Sequence, residues 1–140
     1  MEDRSIGIFD SGVGGLTVLS EIKNALPNED LIYLGDTLNF PYGSKRKEEI
    51  IKYSIENTKF LISKNVKMII IACGTSTSYA LEILQNKFDI PIIGIIEPTI
   101  SYIEKLNLKQ IRSYCNRRNY KKWFMGKGNK KCSSRNRSYK

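Results

Sequence analysis

Residues 68–81, MIIIACGTSTSYAL, pass from an unbroken apolar run into a cluster of hydroxyls and then into a helical pattern. The run at 68–72 is continuous rather than alternating, which marks a strand buried on both faces. Thr75, Ser76, Thr77 and Ser78 are helix-capping types, and the helical pattern resumes at Tyr79-Ala80-Leu81. Cys73 stands at the junction. A sulfur placed there faces the positive end of a helix and its unpaired N–H groups, which favour thiolate over thiol. The same N–H groups and hydroxyls can hold a carboxylate. The competing reading is a small buried core residue, because free cysteine is among the most buried types.

The same rhythm runs from residue 1 to about 108 and predicts a doubly wound parallel sheet of the α/β class. Ser5 to Phe9 reads as a first strand, and Gly15 to Leu26 as a helix with Leu16, Leu19, Ile22 and Leu26 on one face. Leu31 to Leu34 is a second strand, followed by a loop through Gly43. Lys47 to Lys64 is a long helix burying Ile50, Ile51, Ile55, Leu61 and Ile62. After the Cys73 strand come a helix at 78–88, a fourth strand at 91–96, and a helix from Glu97-Pro98 to about Leu106.

Charge divides the chain in two. Residues 1–111 carry 12 Lys+Arg against 14 Asp+Glu, a net of −2, whereas residues 112–140 carry 11 Lys+Arg and no acid. The overall +9 therefore belongs to the tail and says nothing of the domain before it. The expected organisation is an α/β domain over 1–111 and a basic, irregular tail over 112–140. Neither a signal peptide nor a membrane-spanning run is expected, which places the protein in the cytoplasm. Three cysteines, two of them in the tail, do not make a disulfide framework.

In open parallel sheets, ligands bind beyond the carboxyl ends of the strands. Four segments fall there: Asp10-Ser11, Asp36 with Pro41-Tyr42-Gly43, Cys73-Gly74-Thr75, and Glu97-Pro98. In DSGVGG, residues 10–15, the glycines permit a tight turn and close approach to a ligand. The spacing is not that of a dinucleotide loop, and an acid precedes it where a phosphate would be repelled. Asp10 suits a bound ammonium group; its alternative is a cap on the following helix. Asp36 has the plainer alternative of a turn residue before Thr37. Tyr42-Gly43 after Pro41 also suits a rigid turn, and Glu97 either ends its strand or begins the next helix.

Together these segments resemble one family. IGIFDSGVGGLTVLSEI, LIYLGDTLNFPYGSK, MIIIACGTSTSYALEIL and IPIIGIIEP are similar, in wording, order and spacing, to the N-terminal half of the glutamate racemases, within the aspartate/glutamate racemase family. The resemblance covers residues 5 to about 111. It implies racemisation without pyridoxal phosphate, metal or nucleotide, by two cysteines on opposite sides of the glutamate α-carbon. It makes Cys73 the first of these. It assigns Asp10 and Ser11 to the substrate's polar groups, with Asp10 also tuning Cys73. Pro41, Tyr42, Gly43, Gly74 and Thr75 become substrate contacts. Gly74 departs from the family, where asparagine is commoner, and removes a side-chain amide. Glutamate is the implied partner, and D-glutamate for peptidoglycan the implied product; aspartate stays open as substrate.

After Ile111 the resemblance stops. The family continues into a second α/β domain carrying the opposing cysteine and a histidine, but this sequence has no histidine. Cys115 and Cys132 lie in a stretch without apolar periodicity. That stretch reads as a change of reading frame. With free choice of third bases, codons for 112–139 read from their second base spell GVIATEGTIKSGLWEKEIKNVAPEIEVI, a strand, a helix and a new strand. As it stands, the tail interleaves its cations with Tyr114, Tyr120, Trp123, Phe124 and Tyr139, the composition of a single-strand nucleic-acid arm. On the frame reading, any nucleic-acid binding by it is non-specific.

Overall fold

The structure, a computed structural model, describes residues 3–106. The expected boundary at 111 and the tail at 112–140 lie outside the described residues. Four parallel strands, β1 (Ile6–Asp10), β2 (Leu31–Gly35), β3 (Met68–Ile71) and β4 (Ile92–Gly94), form one sheet in the order β2-β1-β3-β4. They alternate with helices α1 (Leu16–Ala25), α2 (Lys47–Ser63), α3 (Gly74–Lys87) and α4 (Ile96–Lys105), and a 3-10 turn spans Tyr42–Ser44. This is the doubly wound α/β layer expected from the sequence. None of these helices is long and apolar enough to cross a membrane.

Successive strand residues point to opposite faces, and both faces here are apolar. Ile6, Ile8 and Ile70 meet Val18, Leu19 and Ile22 of α1 on one side. Phe9, Ile69, Ile71 and Ile92 face the other, against Ile50 and Leu61 of α2 and Ala80 and Leu84 of α3. Each such side chain contributes about 1.5–3 kcal/mol on burial, so the two-sided sheet is the main source of stability.

Several boundaries differ from expectation, each for a local reason. Strand β1 runs through Asp10, one residue further, because Asp10 pairs with Gly35 of β2. On α1, Leu16 and Leu26 are exposed, since they occupy the first helical position and the C-cap; Val18 takes their place on the sheet. Helix α2 buries Ser54, Asn57 and Thr58 with Ile50 and Leu61, and Ile62 is exposed. Ser54 and Thr58 tolerate burial because their hydroxyls donate to the carbonyls of Ile50 and Ser54, at 2.7 and 2.8 Å. Strand β4 stops at Gly94 rather than 96, and Glu97 and Pro98 lie in the first turn of α4, where proline needs no N–H partner. The apolar Ile100 and Tyr102 of α4 and Leu106 at its C-cap are exposed.

Gly35, at the end of β2, shows how closely the loops approach one another. A Cβ there would stand 2.4 Å from the Gly12 carbonyl oxygen. Gly35→Ala is expected to displace the β1–α1 loop and lower stability by about 1–3 kcal/mol, read from the urea midpoint.

Candidate active site

Three hydrogen bonds extend the strand ladder beyond its ends. The Asp36 N–H donates to the Asp10 carbonyl at 2.9 Å, Ala72 N–H to Phe9 at 2.9 Å, and Ile95 N–H to Ile71 at 3.1 Å. Residues 10–15, 36–44 and 73–78 therefore leave the sheet at the same edge. Cys73 is the N-cap of α3, which starts at Gly74 and not at 78 as expected. The reason is the sulfur itself: Cys73 Sγ accepts from the Ser76 N–H at 3.5 Å. Two of the hydroxyls that resemble caps turn back along the helix instead. Thr77 Oγ1 donates to the Cys73 carbonyl at 2.9 Å, and Ser78 Oγ to that of Gly74 at 2.8 Å. Cys73 Sγ in turn donates to Ser11 Oγ at 3.5 Å, joining the β1 and β3 loops. Cys73 is buried, so the core reading and the helix-start reading hold together.

Asp10 is buried, and its Oδ2 accepts from the N–H groups of Gly12 at 3.3 Å and Gly15 at 3.1 Å. The carboxylate thus closes the glycine loop before α1; it does not cap the helix itself, whose N-cap is Gly15 and whose first N–H groups, of Leu16 and Thr17, donate to the Val13 and Gly14 carbonyls. A Cβ on Gly15 would lie 2.8 Å from the Asp10 Cβ and 2.9 Å from that of Ala72, so only glycine lets the helix approach this closely. Tyr33 donates to the Gly12 carbonyl at 2.9 Å. Burial raises its pKa first, with the negative charges of Asp10 and Cys73 adding to the effect. Tyr33 thus lies within electrostatic reach of both.

Asp36 is a turn residue, as its plainer reading held. Its Oδ1 accepts from Asn39 N–H at 3.2 Å and from Asn39 Nδ2 at 3.0 Å. Its Oδ2 accepts a short bond from the Tyr42 hydroxyl, which also accepts from Asn57 Nδ2 at 3.1 Å. The Tyr42 phenol is therefore occupied inside the protein. Pro41 is exposed, with its carbonyl accepting from Ser44. Burial first, then the Asp36 carboxylate, push the Tyr42 pKa far upward from 10.0. Val13, Leu38 and Phe40, from the same loops, are exposed.

Of the four expected segments, three gather around Cys73. Glu97 and Pro98 instead line a separate cleft of about 380 Å³ with Gln85, Ile93, Gly94 and Ser101. Tyr33 and Asn57 escaped the sequence reading because one sits in an apolar strand and the other is an amide, a residue type that reads as solvent-exposed. An asparagine at a core position of α2, three residues after Ser54, was the available signal.

This arrangement has close counterparts. A glutamate racemase of Lactococcus lactis subsp. cremoris is 50% identical over 112 residues, 79% of this chain and 41% of that protein. The Geobacter metallireducens glutamate racemase is 54% identical over 95 residues, 68% of this chain and 35% of its own length. The chain is homologous to the glutamate racemases. Their solved structures agree in fold: glutamate racemase from Aquifex pyrophilus superposes with a TM-score of 0.73 at 47% identity, over 76% of this chain and 42% of that one. The Francisella tularensis glutamate racemase in complex with D-glutamate gives 0.78 at 38% identity, over 89% and 48%. No family model matches the chain. The chain spans about two-fifths of the length of the curated glutamate racemases it matches.

Two outcomes are expected from this arrangement. Asp10→Ala leaves the buried Gly15 N–H without its acceptor and should lower stability by about 1–3 kcal/mol, read by urea unfolding. The unfolded chain releases the Tyr42 proton from about pH 10 while the folded chain keeps it. Stability present below that pH should therefore fall as pH rises above it. Alkaline urea titrations should show a smaller fall in Tyr42→Phe.

Proposed function

We propose that residues 3–106 form the first-cysteine half of a cofactor-independent glutamate racemase. The observation that carries this reading is the sulfur of Cys73 at the start of α3, bonded to Ser11 Oγ and the Ser76 N–H. The glycine loop closed by Asp10 and the Tyr42-Gly43 turn leave the sheet at the same edge. The first-turn N–H groups of Gly74 and Thr75 suit the substrate carboxylate. Asp10 and Ser11 suit the ammonium side, and Pro41, Tyr42 and Gly43 the remaining backbone contacts.

In this mechanism the Cys73 thiolate takes the α-proton from one face of glutamate. The electron pair stays on the α-carbon, delocalised into the carboxylate. A thiol on the opposite face then delivers its own proton and becomes the thiolate. The α-proton is very weakly acidic, so the carbanion-like state depends on preorganised dipoles in a site closed to water. Among the described residues Cys73 is the free cysteine, so the opposing thiol must come from elsewhere. Glutamate is favoured over aspartate because the similar curated proteins are named glutamate racemases and one structural counterpart holds D-glutamate. The product would serve peptidoglycan synthesis in the cytoplasm.

D-glutamate formation from L-glutamate should be absent with the 140-residue polypeptide and present with the frame-restored gene product. In the latter, Cys73→Ala should lower kcat by about 10²–10⁴-fold. Turnover by the 140-residue chain would reveal a second proton donor within it. Inactivity of the restored protein would overturn the racemase reading.

A further inference from the structure

We propose that Asn57 is a positioning residue for the site: from α2 it fixes the direction of the Tyr42 hydroxyl and so locks residues 36–44 beside Cys73. The inference rests on the proposed function, which gives the Tyr42-Gly43 backbone its role, and adds a residue outside the loops that form the site. Asn57 is a polar residue 8% exposed on a helix face packed into the core. A buried amide persists at such a place only when hydrogen-bonded. Its Nδ2 donates to the Tyr42 oxygen at 3.1 Å. A phenol has one proton to give, so accepting from Asn57 leaves its donor side for the Asp36 carboxylate. Asp36 also holds Asn39 through the backbone N–H and the side-chain amide.

The relay Asn57–Tyr42–Asp36–Asn39 thus ties α2 to the start and the middle of the β2–α2 connection. Tyr42 is 1% exposed and belongs to the same apolar cluster as Cys73, and its ring packs against Tyr53 with centroids 5.8 Å apart. An apolar residue at 57 would keep the packing but leave the phenol oxygen without a donor. The hydroxyl would then be held by Asp36 alone, and residues 36–44 would lose their tie to α2.

The test uses the 140-residue chain and Asn57→Leu. Amide hydrogen exchange at residues 36–44 should accelerate about fivefold or more, with the β1 and β3 amides unchanged. The L-glutamate concentration that half-protects Cys73 from iodoacetamide should rise by a similar factor, with the unprotected alkylation rate within twofold of the parent. In a Tyr42→Phe background Asn57→Leu should add nothing to loop exchange. If Asn57→Leu does not fold, Asn57→Ser, too short to reach the phenol, is read in the same way. Loop exchange equal to the parent in a folded variant overturns the proposal, as does an equal effect with and without the Tyr42 hydroxyl. Absence of L-glutamate protection in the parent chain overturns the proposed function instead, and hydrogen exchange still decides the role of Asn57.

Discussion

The hydrogen bond from the Ala72 N–H to the Phe9 carbonyl holds the two halves of the site in register. It is the last rung between the central strands β1 and β3, and beyond it each chain turns at once into a loop. One strand ends in Asp10, the other delivers Cys73 two residues after Ile71. A slip of one residue would turn every side chain of the slipped strand to the opposite face. Ile8, Phe9, Ile69 and Ile71, fully buried on the two faces, make such a slip too costly. The core thereby sets the distance from Cys73 Sγ to Ser11 Oγ.

Once the strands are in register, backbone and sulfur do much of the work that side-chain motifs suggest. Asp10 closes its own loop through glycine N–H groups, and Cys73 caps α3. The hydroxyls of Thr77 and Ser78 satisfy carbonyls inside the helix. This tightness depends on glycine at positions 15 and 35, where a methyl group would strike Asp10 and Ala72 or the Gly12 carbonyl. The site is accordingly rigid on the sheet side. Val13, Leu38 and Phe40 expose apolar surface next to it.

The polar network behind the site follows the same logic. A buried tyrosine needs a partner for its hydroxyl, and Tyr42 has two, one on each side of the oxygen. Satisfied in this way, the network converts the eleven-residue connection between β2 and α2 into a support for a short turn. Half-satisfied, it would be worse than an apolar core. That asymmetry is why a single amide on α2 bears on a loop that it follows by thirteen residues in sequence.

The sequence by itself determined the element order, the parallel class of the sheet and the edge at which the site would form. Each follows from local signals: continuous apolar runs for two-sided strands, 3.6-residue spacing for helices, and glycine and proline at the turns. It also singled out Asp10, Ser11, Cys73 and Tyr42-Gly43 through their placement at strand ends. Only the tertiary structure decided which side-chain groups face the site. The Tyr42 hydroxyl turns inward, Ser54 and Asn57 lie in the core, and Leu16, Leu26 and Ile62 stand outside it. Periodicity gives a helix its apolar stripe, but the rotation and reach of that stripe depend on what packs against it. A hydroxyl or amide reads as exposed until a partner elsewhere in the chain accounts for its burial.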